Sequence, residues 1–302
     1  MTRTVVCSML PVRHTSTIAS TRLATWLAAT LRAPLYDSAE LSLRESKVDN
    51  LLIVNGSTLY CKYLPELAEF VRTSRNVVWV QNDYTLPPPK AKSQAQSPFR
   101  AAFNLRGLVP HYWTTCGENS EKTQHSAHVN WNVLGFDKNA RRSKHQGSDF
   151  FYYGAYRERR EQEFRYMARE AGSVTVSSTS DKFLLIPGIN LVPPVRTLLT
   201  QELSQHGVGI YAQDDRSEDA DHFPATRFYE MLSAGLPMCF TPGSVKTLAK
   251  YGYDCSRYVL TKDRSLNLLG TRQQFAQEQQ FWVEDFEEEL RKQVVRLHAE
   301  LD

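Results

Sequence analysis

Several stretches of this chain are apolar over consecutive residues rather than alternate ones: Thr4 to Leu10, Asp49 to Asn55 (DNLLIVN), Asn76 to Gln81 (NVVWVQ), Phe150 to Tyr153 and Val208 to Ala212. A strand reads this way when both of its faces are covered, as in a parallel sheet clothed by helices. Amphipathic helical segments fall between them, among them Arg22 to Leu31, Pro65 to Ser74 and Arg159 to Ala171. Further strands are predicted at His111 to Cys116, Asn130 to Phe136 (NWNVLGF), Ser173 to Ser177 and Lys182 to Ile186, with a helix over Pro193 to His206. The strand–helix rhythm runs twice, broken by the polar, basic stretch Asp137 to Asp149 (DKNARRSKHQGSD), which is read as a linker. The expectation is therefore α/β, with two Rossmann-like domains facing a central cleft: residues 1–140 and 150–270. The tail, 271–302, is predicted as a long helix packing back across the domains on Phe281, Trp282, Phe286, Leu290 and Val294.

A length of 302 residues allows each half its own core, and the 41% hydrophobic and 23% charged content is that of a globular protein. No apolar run approaches the roughly 20 residues that span a bilayer, and the amino terminus is strand-like rather than a leader, so a cytoplasmic protein with no membrane partner is expected. Five scattered cysteines form no CxxC pair and read as buried thiols. A net charge of +3 does not argue for nucleic acid unless the basic residues cluster.

The stretch Phe223 to Phe240 (FPATRFYEMLSAGLPMCF) joins a polar loop to a helix and the helix to a strand. Thr226 is the expected N-cap, Gly235 the αL stop, and Met238 to Phe240 a short buried strand. Arg227 and Glu230 share one helix face near its amino end, which suits a phosphorylated ribose, or else forms a surface i,i+3 ion pair. Gly154 follows the strand Phe150 to Tyr153 and precedes Arg157, Arg159, Arg160 and Arg165 at a helix opening. That is the form of a diphosphate cradle, or of a charged helix face. Asp83 lies just past the strand Asn76 to Gln81, where open α/β sheets place ligands, though an Asp before a Pro-rich turn is often a turn former. Lys90, Lys92, Arg100 and Arg106 form a locally basic run that could track a phosphate backbone or be a solvated loop.

Together FYYGAYRERRE at Phe151, PATRFYEMLSAGLP at Pro224, and LLIVNGS followed by VVWVQNDYTLP resemble the β-glucosyltransferases of T-even bacteriophages, which glucosylate hydroxymethylated pyrimidines in DNA. The resemblance is weak in identity but ordered along nearly the whole chain. It implies a GT-B fold, an inverting transfer from UDP-glucose held mainly by the second domain, and base flipping of duplex DNA carrying 5-hydroxymethyluracil or 5-hydroxymethylcytosine. It places the base on Asp83, diphosphate contacts on Gly154, Ala155, Arg157, Arg160 and Arg227, and a ribose contact on Glu230. Uracil recognition by backbone groups falls near Ile189 to Val192. DNA contacts fall to Lys90, Lys92, Arg100 and Arg106, and a monomer is expected.

The sequence departs from that family where Thr15 to Thr21 carries no acidic residue and where Ala155 replaces a serine, leaving only a backbone N–H. A divalent cation (Mg or Mn) on the diphosphate is expected to be optional, since the nearest approach to a DxD is Asp219-Ala220-Asp221. Two other readings stand beside this one: a GT-B enzyme acting on a polysaccharide, lipid or small molecule, and a nucleotide or DNA binder without catalysis.

Overall fold

The computed structural model describes residues 3–8, 19–37, 48–54, 73–81, 111–115, 117, 125–137, 147–194, 202–213, 221–262, 278–279 and 286–301. The chain divides into two compact units. Unit 1 comprises Met1–Leu134, Ala220–His222 and Glu287–Asp302, and unit 2 comprises Gly135–Asp219 and Phe223–Phe286.

Unit 1 is built on strands β1 (Thr4–Ser8), β2 (Leu35–Asp37), β3 (Asn50–Val54), β4 (Asn76–Gln81), β5 (His111–Thr114) and β6 (His125–His128). They form one parallel sheet in the order β2-β1-β3-β4-β5-β6. The consecutive apolar residues of β1, β3 and β4 are buried throughout, which is why they lack alternation: Val5, Val6, Leu51, Leu52, Ile53, Val78 and Val80 are at most 1% exposed. Helix α1 (Ala19–Leu31) lays Leu23, Ala24 and Leu27 into this core, one face of a 3.6-residue repeat.

Unit 2 repeats the plan with β7 (Phe150–Tyr153), β8 (Val174–Ser177), β9 (Ile189–Val192), β10 (Val208–Tyr211) and β11 (Met238–Phe240), parallel in the order β11-β10-β7-β8-β9. Helix α2 (Glu161–Ala171) buries Phe164, Met167 and Ala168. Helix α3 (Thr226–Ala234) follows β10, and α4 (Pro242–Ala249) follows β11. Both units are thus open parallel α/β sheets, as the sequence pattern implies. The edge strand β11 is closed by a side chain: Gln279 accepts from the Met238 amide at 2.7 Å and donates to its carbonyl at 2.6 Å.

The last helix, α5 (Phe286–Ala299), packs on unit 1, burying Leu290 and Val294. Its His298 shares a hydrogen bond with Thr4 of β1 at 2.8 Å, and Asn76 of β4 donates to the carbonyl of Leu301 at 2.7 Å. First and last elements of the chain therefore complete one core. Phe281 and Trp282 lie outside the described residues. Among the described residues no helix is long and apolar enough to cross a membrane.

Three expectations require correction. Asn130 to Phe136 is not a strand; Trp131–Gly135 is a 3-10 helix, and the strand is β6 just upstream. Consecutive burial of Trp131, Asn132 and Val133 does not distinguish the two, and the HSAH of β6 is too polar to announce an edge strand. Lys182 to Ile186 is also a 3-10 helix, Asp181–Leu185. Phe183 and Ile186, three apart, are buried, while Leu184 and Leu185 are 62% and 73% exposed, a spacing no strand produces. Thr226 is not the N-cap of α3; Ala225 is, without a side-chain cap, and its amide donates to the Tyr211 hydroxyl at 2.8 Å. The other end of α3 is as expected: Gly235 adopts the left-handed conformation at φ 68°.

Candidate functional site

The sheet of unit 2 reverses direction between β7 and β10. From β7 the chain winds through β8 and β9 to one side, then returns to place β10 and β11 on the other. The crevice outside the carboxyl ends of two such strands is where open α/β sheets bind ligands, because the connecting loops part there. β7 ends at Tyr153 and Gly154, β10 at Tyr211 and Ala212, and the amino end of α3 arrives between them.

Arg227, the second residue of α3, spans this crevice. Its Nη1 donates to the Tyr152 hydroxyl at 2.9 Å and to the Tyr153 carbonyl at 3.2 Å, and its Nη2 donates to the Ala212 carbonyl at 3.3 Å. The Tyr152 and Tyr211 rings lie 5.2 and 5.7 Å from the guanidinium carbon. Nε has no hydrogen-bond partner, and no carboxylate lies within ion-pair distance of Arg227 among the described residues. Burial opposes the charge, and Tyr152, Tyr211 and Tyr153 outweigh it, holding the guanidinium pKa above its ordinary value. Among the described residues, the groups that hydrogen-bond this cation at the strand ends are all neutral.

Gly154 makes this approach possible. Its φ of +140° is closed to other residues, and a Cβ there would stand 2.6 Å from Nη1 of Arg227. Its amide donates to the Ser177 carbonyl at 3.1 Å, which pins the turn. Ala155 follows, exposed, and its amide has no partner among the described residues.

Glu230 lies one turn along α3 and accepts a hydrogen bond from the Tyr153 hydroxyl at 2.8 Å. It forms no ion pair with Arg227, so the i,i+3 surface pair is not what the structure contains. Behind both residues a buried network sets the loop. Tyr211 donates to Gln213, Gln213 donates its amide to Ser244 at 2.8 Å, and Ser244 donates to the Tyr211 carbonyl at 3.0 Å. Burial pushes the Tyr211 hydroxyl up to about 12, against the charges of Arg227 and Arg160.

The structure therefore brings Gly154, Arg227 and Glu230 together, with Ala155 on the same turn and Arg160 close enough for its charge to act on Tyr211. Arg157 is exposed at the N-cap of the 3-10 helix Glu158–Arg160, and Arg165 is committed to Glu161 at 2.6 Å on the outer face of α2. The charged-face reading holds for Arg165. Ile189 is not at the site. It pairs with Val174, which pairs with Phe150, so it sits at the amino ends of the strands, about 10 Å from the edge that carries Gly154. Val192, the other end of the stretch expected to meet uracil, is level with Tyr153 through Ser177, and the Pro193 carbonyl beyond it accepts from Ser177 at 3.1 Å.

Asp83, Lys90, Lys92, Arg100 and Arg106 lie outside the described residues; in the chain Asp83 stands two residues beyond the end of β4. Among the described residues no three His, Cys, Asp or Glu side chains could hold a metal ion. The tyrosines that receive Arg227 carry no ligand-site signal of their own in the sequence; the one available sign is that Tyr152 and Tyr153 directly precede Gly154 in FFYYG.

No family model matches the chain, and no curated protein matches it. Among solved structures, one described as a UDP-N-acetylglucosamine 2-epimerase from Listeria monocytogenes is 9% identical, with a TM-score of 0.47 over 90% of this chain and 96% of that one. The spinosyn forosaminyltransferase SpnP is 11% identical, with a TM-score of 0.46 over the whole of both chains. Likeness of this degree carries no weight for the activity of this chain.

Proposed function

We propose that this protein is a sugar-nucleotide-dependent glycosyltransferase of the GT-B type whose unit 2 holds the donor, a UDP-sugar, at the crevice between β7 and β10. The observation that carries this reading is Arg227: a cation fixed at a sheet switch point with no anionic partner among the described residues. A diphosphate supplies the missing charge, with the Ala155 amide and Arg160 beside it, and Glu230 accepts from a ribose diol. Charge that develops on a leaving UDP would meet the same cations.

The resemblance to the phage enzymes extends the reading to the acceptor. Glucose would pass with inversion to the hydroxymethyl group of a modified pyrimidine flipped from duplex DNA, at a cost of a few kcal/mol for the flip. Asp83 would take the hydroxyl proton, Lys90, Lys92, Arg100 and Arg106 would hold the backbone, and a divalent cation on the diphosphate would assist without being required. The second domain's reading rests on geometry, the acceptor's on those residues alone.

Titration calorimetry with UDP tests the donor site. Arg227→Ala should weaken binding about 10- to 150-fold, the worth of one charged hydrogen-bonding partner at about 1.5–3 kcal/mol. Binding within twofold of wild type would remove the anion site. Radiolabelled UDP-glucose offered to duplexes with and without 5-hydroxymethylcytosine or 5-hydroxymethyluracil tests the acceptor; donor binding without transfer to any duplex would favour a non-DNA acceptor.

A further inference from the structure

Tyr152 is set in the core of unit 2 with none of its surface exposed, its ring packed against Phe164 at 5.3 Å and Phe183 at 6.1 Å. The buried side chains of that cluster, Phe150, Phe164, Met167, Phe183 and Ile210 among them, are apolar, and a phenylalanine would fill the same volume. A phenol is costly there unless its oxygen finds a partner. The partner is Arg227, whose Nη1 donates to it at 2.9 Å.

Arg227 reaches that oxygen by crossing the end of a strand. Successive residues of β7 point to opposite faces of the sheet, so Phe150 and Tyr152 share the face that α2 covers with Phe164 and Met167. Tyr153 faces the other way, beside Phe151 at 5.9 Å between ring centres. Helix α3 meets both faces. Glu230 takes the Tyr153 hydroxyl on one, while Arg227, three residues earlier, extends over the strand end to the Tyr152 hydroxyl on the other. Gly154 leaves the gap that is crossed: a Cβ there would stand 2.6 Å from Nη1 of Arg227 and 3.3 Å from the Tyr152 hydroxyl.

A long cationic side chain loses much rotamer freedom when it is ordered, and a ligand that has to order it binds more weakly. Here the ordering is done by the protein. The Tyr152 oxygen, held in place by the packing of its ring, anchors one arm of the guanidinium, and the Tyr153 and Ala212 carbonyls anchor it further. The Tyr152 and Tyr211 rings lie 5.2 and 5.7 Å from the guanidinium carbon. Tyr152 itself, fully buried, does not meet a solute. All of these residues belong to unit 2.

We infer that Tyr152 is a positioning residue of the donor site, a core hydroxyl that acts through Arg227 to hold the guanidinium ready for a diphosphate; the inference rests on the UDP-sugar reading above. Its effect is on phosphate affinity and not on the nucleoside. The converse, an arginine present only to satisfy a buried phenol, predicts an effect on stability and none that is selective for phosphate.

The test uses the full-length protein, with UDP binding followed by calorimetry and uridine binding by protein-observed NMR, which reads weak affinities. Tyr152→Phe removes one oxygen and keeps the ring packing on Phe164 and Phe183, so the core is retained. It should weaken UDP binding about three- to tenfold, the worth of one hydrogen bond, and leave uridine binding within about twofold of wild type. In an Arg227→Met background the same change should alter UDP affinity by less than about twofold, because the group it acts through is gone. Wild-type UDP affinity in Tyr152→Phe, equal losses for UDP and uridine, or an undiminished further loss in the Arg227→Met background would each overturn the positioning role and leave the donor site standing. A wild type with no affinity for UDP would overturn the role along with the reading it rests on.

Discussion

Replacing Gly154 with alanine should damage unit 2 and its proposed donor site together, by an amount that the geometry sets. At φ +140° a side-chain-bearing residue is strained by about 1–3 kcal/mol. The new methyl would also stand 2.6 Å from Nη1 of Arg227, well inside the roughly 3.5 Å at which such atoms rest. The guanidinium cannot retreat freely, since Nη1 holds Tyr152 at 2.9 Å and Tyr153 at 3.2 Å. Losing both bonds costs about 2 kcal/mol at about 1 kcal/mol each, for a total of about 3–5 kcal/mol. For a unit of about 150 residues that lowers the melting temperature by about 6–20 °C in a calorimetric scan. UDP binding should weaken in parallel. The contact itself is isolated by repeating the change in an Arg227→Met background, where the cost of alanine should shrink by about 2 kcal/mol. A Gly154→Ala protein melting within 2 °C of wild type, or strictly additive effects in the cycle, would refute the reasoning.

Glu230→Ala should raise the KM for UDP-glucose about tenfold, the value of a ribose hydrogen bond, and the effect should vanish with a 2′-deoxyribose donor; equal loss with both donors would return Glu230 to a purely structural partner of Tyr153. Neutralising Lys90, Lys92, Arg100 and Arg106 together should flatten the salt dependence of duplex binding by up to about 3–4 units of slope, leave UDP binding unchanged and affect all DNA sequences alike; an unaltered slope would make the run an ordinary loop. For Asp149, burial raises the carboxyl pKa, but the hydrogen bond and charge of His206, the Thr175 hydroxyl and the Gly207 amide outweigh it and hold the group below the usual carboxylate range. Its native form is therefore favoured ionised, so the stability it contributes is complete above about pH 4 and is lost as pH falls through the lowered native pKa. Urea midpoints between pH 5 and 2.5 should fall further for wild type than for Asp149→Asn, and parallel acid limbs would show that the His206 contact at 2.8 Å contributes nothing.

The amino-acid sequence determined the parallel α/β class, because a strand buried on both faces must carry consecutive apolar residues, and the middles of β1, β3 and β4 and the whole of β7 do, with polar residues confined to the ends of the first three. It also located two structural glycines, Gly154 at the crevice and Gly235 at the far end of α3, since both adopt backbone conformations that few other residues tolerate. It could not locate β6, whose HSAH is mostly polar, or β9, a four-residue edge strand that is only partly buried, or tell a 3-10 turn from a strand at Phe183 to Ile186, where only burial three residues apart decides. Nor could it choose between a salt bridge and a ligand site for Arg227 and Glu230. That depended on Tyr152, Tyr153 and Ala212, which are far from Arg227 in sequence and reach it only because β7 and β10 are neighbours in the sheet. Strand order likewise moved Ile189 to the far end of the sheet. Local sequence carries the burial and the dihedral demands of each residue. Which strand ends lie side by side is settled only when the whole sheet closes its core, and the chemistry of the crevice depends on that.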